Sequence, residues 1–134
     1  MKKLSQSVAG FLLISVLVAC AAATSMGPGG PGTTGQTELG KVFTDAGGMT
    51  LYTYDEDMPG KSNCSGFCAV FWPPVIAAET TKPSDGFTTI TRDNGTRQWA
   101  YRGKPLYGYF GDATPGEVSG DRVDGVCASA VRTP

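Results

Sequence analysis

The stretch Gly48-Met49-Thr50-Leu51-Tyr52-Thr53-Tyr54-Asp55-Glu56-Asp57 recurs 55 residues later as Gly103-Lys104-Pro105-Leu106-Tyr107-Gly108-Tyr109-Phe110-Gly111-Asp112. Both copies follow the pattern Gly-x-x-Leu-Tyr-x-Tyr-x-x-Asp, and a Pro-Gly pair follows each copy. Self-similarity at a fixed spacing is typical of a protein built from related units. The sequence therefore predicts two repeats, over about residues 39–76 and 87–130.

The residues around the motif predict short β-strands joined by tight turns. The glycines at positions 48 and 103 suit turns that need a positive φ, and Asn94-Gly95 is a strong hairpin signal. The predicted strands are residues 41–44, 49–54, 87–91, 97–101 and 106–110. Only residues 65–71 favour a short helical turn, which the prolines after Trp72 end. The predicted fold is mainly β: two similar antiparallel, hairpin-containing units packed as one small domain.

The aromatic residues of the motif alternate along the predicted strands, so they share a face of the sheet. Two interpretations stay open for them: a core whose hydroxyls reach its rim, or an exposed platform for a flat ligand or a partner. The residues concerned are Tyr52, Tyr54, Tyr107 and Tyr109, joined by Trp99 and Tyr101.

The aspartates that close each motif copy, Asp57 and Asp112, precede Pro-Gly. At that position an aspartate side chain accepts backbone N–H bonds and starts a turn. We expect a structural role for both residues.

The N-terminus carries the features of a lipoprotein signal. Lys2 and Lys3 precede an apolar stretch over residues 8–19. The end of that stretch, Leu17-Val18-Ala19-Cys20, resembles the lipobox of bacterial lipoproteins. The resemblance implies cleavage after residue 19, acylation of Cys20 and anchoring to membrane lipid. Alanine at position 21 implies the outer membrane if the cell has one, and otherwise the outer face of the plasma membrane.

The chain is thus predicted to have three parts: a signal peptide (1–19), a flexible Gly/Pro/Thr-rich tether (20–37) and a β-rich domain (38–134). Loss of the signal peptide leaves 9 basic and 12 acidic residues. This mildly negative charge, with no basic cluster, argues against a nucleic-acid partner.

The chain contains no histidine. This composition excludes Ser-His-Asp and Cys-His catalysis as well as imidazole metal ligands. No glycine-rich phosphate loop stands between a strand and a helix. We therefore expect no enzyme activity and no cofactor.

The cysteines leave a choice open. With Cys20 acylated, Cys64, Cys68 and Cys127 remain, so only one disulfide can form within the chain. A regular helix would hold residues 64 and 68 too far apart for a disulfide, but an irregular turn through Ser65-Gly66 would close the gap. The alternative is a copper site that uses Cys64, Cys68 and Cys127, with Met58 as a further soft ligand.

Over residues 39–130 the chain resembles a family of bacterial lipoproteins described as secreted repeats with a Tyr-x4-Asp motif. The resemblance lies in the doubled motif, the lipobox, and Cys64-Ser65-Gly66-Phe67-Cys68 followed by Trp72-Pro73-Pro74. In that pattern the second unit ends in Gly-Val-Trp-His, where this chain has Gly125-Val126-Cys127-Ala128. The resemblance implies that Cys127 replaces a core tryptophan and that any histidine-dependent activity is missing. It implies no specific function beyond that of an envelope lipoprotein with a binding or structural role. The alternative is a copper-binding or thiol-redox lipoprotein.

Overall fold

The computed structural model describes residues 30–123 and 128–134. Seven strands and one helical turn are described there: β1 (Gly32–Thr37), β2 (Gly40–Asp45), β3 (Tyr52–Tyr54), α1 (Cys68–Phe71), β4 (Phe87–Thr91), β5 (Arg97–Tyr101), β6 (Lys104–Pro105) and β7 (Ala128–Ala130). All strand pairs are antiparallel, in sheets of order β1-β2, β3-β7 and β4-β5-β6. The predicted fold class, mainly β with two repeats, is confirmed.

The prediction of a tether up to residue 37 is wrong at its C-terminal end. Residues 32–37 form β1, which pairs with β2 from Gly32 opposite Asp45 to Thr37 opposite Gly40. Three threonines support an extended backbone in this segment, and Thr33 Oγ1 lies 3.0 Å from Thr44 Oγ1. The folded region therefore begins several residues earlier than composition suggested.

The predicted hairpin of the second repeat is confirmed, since β4 and β5 have the predicted bounds. The strands predicted over each motif copy are only partly formed. Residues 52–54 form β3, but β6 covers residues 104–105 rather than 106–110. The reason is that the backbone of each motif copy pairs with its own hairpin over only a few residues and then forms hydrogen bonds with the other repeat.

The two repeats exchange the extended segments at their C-terminal ends, residues 75–77 and 131–133, and three pairs of equivalent hydrogen bonds show this exchange. In the first pair, the backbone N–H of Val75 donates to the carbonyl of Leu106, and that of Val131 donates to the carbonyl of Leu51. In the second pair, Ala77 donates to Arg97, and Thr133 donates to Lys41. In the opposite direction, Trp99 donates to Val75 and Phe43 to Val131. The end of each repeat thus lies between the hairpin and the motif of the other.

An approximate twofold axis follows from this exchange and passes between Tyr52 and Tyr107. The amide of Tyr52 donates to the carbonyl of Tyr107 over 2.8 Å, and the amide of Tyr107 donates back over 2.9 Å. The doubled motif is therefore the centre of the molecule, where the repeats meet.

The sequence suggested that the aromatic residues share one face of the sheet, and the structure shows that they do not. They divide between two core clusters. One is built around Tyr52, Tyr107 and Trp72, with Tyr54 and Tyr109 at its margin. The other contains Phe43, Phe87, Trp99 and Tyr101. The division follows the alternation of side chains along the motif: Tyr52 and Tyr107 face the first cluster, whereas the preceding Leu51 and Leu106 face the second.

The helical turn α1 has four residues. No helix in the described ranges has the length and apolarity needed to cross a bilayer.

Candidate functional site

The tyrosine and aspartate of each motif copy form hydrogen bonds with the other copy. The hydroxyl of Tyr52 donates to Asp112 Oδ2 over 2.6 Å, and the hydroxyl of Tyr107 donates to Asp57 Oδ2 over 2.7 Å. Both tyrosine side chains are fully buried. The spacing within one copy does not reveal this arrangement, because neither tyrosine bonds to the aspartate five residues after it.

Each aspartate also holds its own turn, as the sequence indicated. Asp57 Oδ1 accepts the backbone N–H of Asn63 over 2.7 Å, and Asp112 Oδ1 accepts that of Ser119 over 2.9 Å. One oxygen of each carboxylate therefore serves the local turn and the other serves the partner tyrosine. Because these are bonds to charged acceptors, they belong to the stronger class of protein hydrogen bonds.

The tyrosine hydroxyls also accept bonds. The Tyr52 hydroxyl accepts the N–H of Gly120 over 3.3 Å. The Tyr107 hydroxyl lies 2.7 Å from Ser62 Oγ; because its own proton points to Asp57, Ser62 donates here. Ser62 in turn accepts from Arg92, whose guanidinium also bonds to Gln98 Oε1 and the Cys64 carbonyl. A chain of donors therefore runs from Arg92 to the carboxylate of Asp57.

Burial controls the ionisation of these groups. It is the main cause that raises the pKa of Tyr107 to about 12, and the carboxylate of Asp57 adds to the effect. Burial, followed by the bond to Asp112, also raises the pKa of Tyr52 far above its ordinary value. The pKa of Asp57 is raised by burial, against the lowering effects of the Asn63 amide, the Tyr107 hydroxyl and the Arg92 charge. The tyrosines are thus fixed as neutral donors at physiological pH.

The motif leaves no buried polar group free for chemistry. Within residues 30–123 and 128–134, every buried side-chain nitrogen or oxygen has a hydrogen-bond partner. The rings of Tyr54 and Tyr109 lie at the core margin and contact Tyr107 and Tyr52 edge to face. The arrangement favours the core interpretation of the motif over a flat-ligand platform.

Cys64 and Cys68 form a disulfide, and this part of the prediction is confirmed. Gly66 has a φ of +55°, a conformation that interrupts helical geometry and brings the two Cα atoms to 5.3 Å. Paired cysteines offer no thiolates, so the alternative copper site loses two of its proposed ligands. Met58 lies on an exposed turn, while Cys20 and Cys127 fall outside the described residues. The described part contains no group of three metal-binding His, Cys, Asp or Glu side chains.

An exposed aromatic patch lies beside the disulfide, and sequence reasoning did not find it. It consists of Phe67, Val70, Phe71 and Phe110, which are 78%, 59%, 38% and 67% exposed. The ring of Phe71 lies 5.1 Å from that of Phe67 and 5.6 Å from that of Phe110, centroid to centroid. The sequence does contain a feature that indicates this patch: all four residues come from two stretches without charged residues, 62–78 and 105–111.

A shallow cavity of about 370 Å³ lies next to α1, between Ala69 and the Arg92–Asn94 turn. Its charged lining residues are Arg92 and Asp93. The bonds of the Arg92 guanidinium to Ser62, Gln98 and Cys64 all point into the protein, so Arg92 supports the loop that carries the disulfide.

The fold and its motif define a disulfide-containing β-protein made of two strand-exchanged repeats. A family model described as a secreted repeat of unknown function matches the chain twice, over residues 33–76 and 88–130. These matches cover more than half of the chain, which therefore belongs to this family of secreted repeats, as its resemblance implied. Searches of curated proteins and of solved structures gave no match.

Proposed function

We propose that this protein is a lipid-anchored component of the cell envelope whose folded domain binds or supports other envelope components and has no catalytic activity. The observation that carries the proposal is the exchange of Tyr–Asp bonds between the motif copies. The most prominent ionisable groups of the sequence stabilise the contact between the repeats. Asp112 is buried, and Asp57, which lines a small cavity of about 170 Å³, already has both carboxylate oxygens hydrogen-bonded. A structural use of the motif leaves the surface of the domain for binding.

The anchor part of the proposal is supported by the sequence Leu17-Val18-Ala19-Cys20 and by membership of a secreted family. Two or three acyl chains on Cys20 give stable membrane attachment, whereas one chain gives only marginal binding.

Fractionation of cells that express the Cys20→Ala variant tests the anchor. We expect the variant to leave the membrane fraction or to remain as an uncleaved precursor, since acylation and cleavage both depend on this cysteine in lipoproteins. Ser25→Ala, a change in the same segment outside the lipobox, serves as the matched control and should stay membrane-bound. Intact-mass measurement of the wild-type protein should show the acyl chains. Normal processing and membrane retention of Cys20→Ala would refute the anchor.

A further inference from the structure

The aromatic patch has a composition and shape that suit a lipid surface. Three phenylalanines and one valine project from it, and none of the residues in its two stretches, 62–78 and 105–111, carries a charge. Exposed apolar clusters on soluble domains mark sites of contact with a protein, a ligand or a membrane. A surface without charged groups enters the headgroup region of a bilayer without having to desolvate a charge.

The local structure presents these side chains outward on a rigid base. Cys68, the first residue of α1, packs against the core and is tied to Cys64, while Phe67 just before it and Phe71 at the end of α1 stay exposed. The second stretch is fixed to the first because the N–H of Phe110 donates to the Phe71 carbonyl over 2.9 Å. The side chains of the patch are thus held in place by the disulfide and by this backbone hydrogen bond.

The position of the predicted anchor limits how far this patch can move from lipid. Gly30, the first described residue, lies ten positions after Cys20, and ten residues span at most about 35 Å. A folded domain of about 100 residues has a radius of gyration near ~13 Å, so this distance is close to the diameter of the domain. A tether this short keeps the domain at an effective concentration of about millimolar near the membrane, where a weak apolar contact becomes occupied.

We propose that the patch of Phe67, Val70, Phe71 and Phe110 docks the folded domain onto the membrane that holds its anchor, with the aromatic rings in the headgroup region. This inference rests on the proposed lipid anchor. Docking fixes one face of the domain against lipid and turns the opposite face toward the aqueous compartment. The acyl chains attach the protein to the membrane, and the patch determines its orientation there.

Fluorescence quenching in proteoliposomes tests the orientation. The full-length mature protein is reconstituted into phosphatidylethanolamine/phosphatidylglycerol vesicles that contain lipids brominated on their acyl chains. The reporter is Phe110→Trp, at an exposed position where the larger ring should not disturb folding. Thr88→Trp, at an exposed position on the outer strand of the three-stranded sheet, is the matched control. The two native tryptophans, Trp72 and Trp99, are buried and provide a common background.

We expect the added tryptophan at position 110 to shift to shorter wavelength and to lose emission in brominated vesicles, whereas the one at position 88 does neither. Adding Phe67→Ser to the Phe110→Trp protein should reduce the loss of emission, because one inserting ring is removed. Equal emission from the two reporters in both kinds of vesicle would overturn the inference. So would a concentration-dependent dimer in detergent that Phe67→Ser abolishes, since the patch would then belong to a second copy of the chain.

The intact mass of the same reconstituted protein separates this inference from the anchor. Acyl chains on the protein with no quenching at position 110 mean that the anchor holds and the docking does not. A protein without acyl chains refutes the anchor; the same vesicles, added to that protein in solution, then show whether the patch meets lipid by itself.

Discussion

At the scale of single residues, Tyr52 and Tyr107 combine three roles in one side chain. Each ring fills the core, each backbone joins the repeats through two hydrogen bonds, and each hydroxyl reaches an aspartate of the other repeat. The two sites are not identical in their surroundings. Asp112 is buried, whereas Asp57 is partly exposed and has Arg92 nearby. The Asp112 carboxylate therefore depends more on its tyrosine than the Asp57 carboxylate does.

A double-mutant cycle on Tyr52→Phe and Asp112→Asn tests the bond between repeats. We expect a coupling energy within about 0.5–3 kcal/mol from urea unfolding, as for other directly bonded pairs. The control cycle joins Tyr52→Phe to Asp57→Asn, two residues of the same motif copy that share no hydrogen bond. Its effects should add to within about 0.5 kcal/mol. A coupling energy between Tyr52 and Asp57, with none between Tyr52 and Asp112, would contradict the exchange of hydrogen bonds between the repeats.

Truncation of the rings gives a second test at this scale. Tyr52→Ala and Tyr107→Ala should each cost roughly 3–5 kcal/mol, since each removes a large aromatic from the core. Tyr52→Phe should cost more than Tyr107→Phe, because it leaves the more deeply buried carboxylate without its donor. Thermal unfolding of the four variants measures both comparisons. Wild-type stability in both alanine variants would show that the motif is not a core element.

Alkaline pH should destabilise the protein through the same tyrosines. The pKa of Tyr107 is raised to about 12 in the folded state, above its ordinary value of 10.0, and that of Tyr52 is raised as well. A raised pKa contributes stability that is fully present below the unfolded pKa and is lost as pH rises through the folded one. Urea unfolding should therefore show a loss that starts near pH ~10 and continues to pH ~12. Tyr107→Phe should reduce this dependence, and an unchanged profile would contradict the role of burial.

At the scale of elements, the sequence predicted the structures that depend on neighbouring residues and missed those that depend on contacts with the other repeat. The hairpin of β4 and β5 was predicted correctly because Asn94-Gly95 favours that turn locally, with Gly95 at a φ of +84°. β1 was missed because glycine and proline surround it. The 55-residue spacing already carried the signal: Thr33-Thr34 is the counterpart of Thr88-Thr89 at the start of β4. The strand exchange had no local signal, because its partners are distant in the chain.

The two motif glycines offer a matched pair for measuring one contact between repeats. Gly48 and Gly103 have φ values of +84° and +80°, so alanine is strained equally at both. A side chain at position 103 meets no atom within 4 Å, whereas one at position 48 would lie 3.1 Å from Pro115 of the other repeat. We expect Gly103→Ala to cost about 1–2 kcal/mol from strain alone. Gly48→Ala should lower the free energy of unfolding clearly more in the same assay. Equal losses would mean that Pro115 can shift away from the new side chain at no cost.

The disulfide stabilises a short loop and holds α1 in place. Chain-entropy arguments give about 2 kcal/mol for closing a loop of this size. Cys64→Ser together with Cys68→Ser should therefore lower the melting temperature modestly and increase amide exchange in residues 65–71. Alkylation of the wild-type protein without reductant should leave both cysteines unlabelled. Labelling of both, with stoichiometric copper uptake under anaerobic conditions, would instead support the copper alternative.

At the scale of the whole molecule, the strand exchange makes the two repeats one folding unit. The extended segment that lies between the hairpin and the motif of each repeat comes from the other repeat: residues 131–133 for the first repeat and residues 75–77 for the second. The segment that connects them, residues 78–86, is mostly exposed. The connecting segment therefore contributes few contacts to the fold, whereas many contacts form only when both repeats are present. The molecule resembles a dimer of two related chains that have become joined end to end.

Cutting the chain within this connection tests that view. The fragments 20–82 and 83–134, with Cys20→Ala to remove a free thiol from the first one, should each be unfolded by circular dichroism and by proton chemical-shift dispersion. Fragments of 63 and 52 residues bury too little surface to be stable when the segment between hairpin and motif is also missing. Mixed at equal concentration, the fragments should recover the β-sheet signal and a cooperative melting transition whose midpoint rises with concentration, as mass action requires for an assembly of two chains. Adding Asp112→Asn to the second fragment should weaken recovery, since the Tyr52 hydroxyl then loses a charged acceptor across the interface. Cooperative unfolding of either fragment alone would show that a repeat folds without its partner, and the exchanged strands would then be an addition to two independent units.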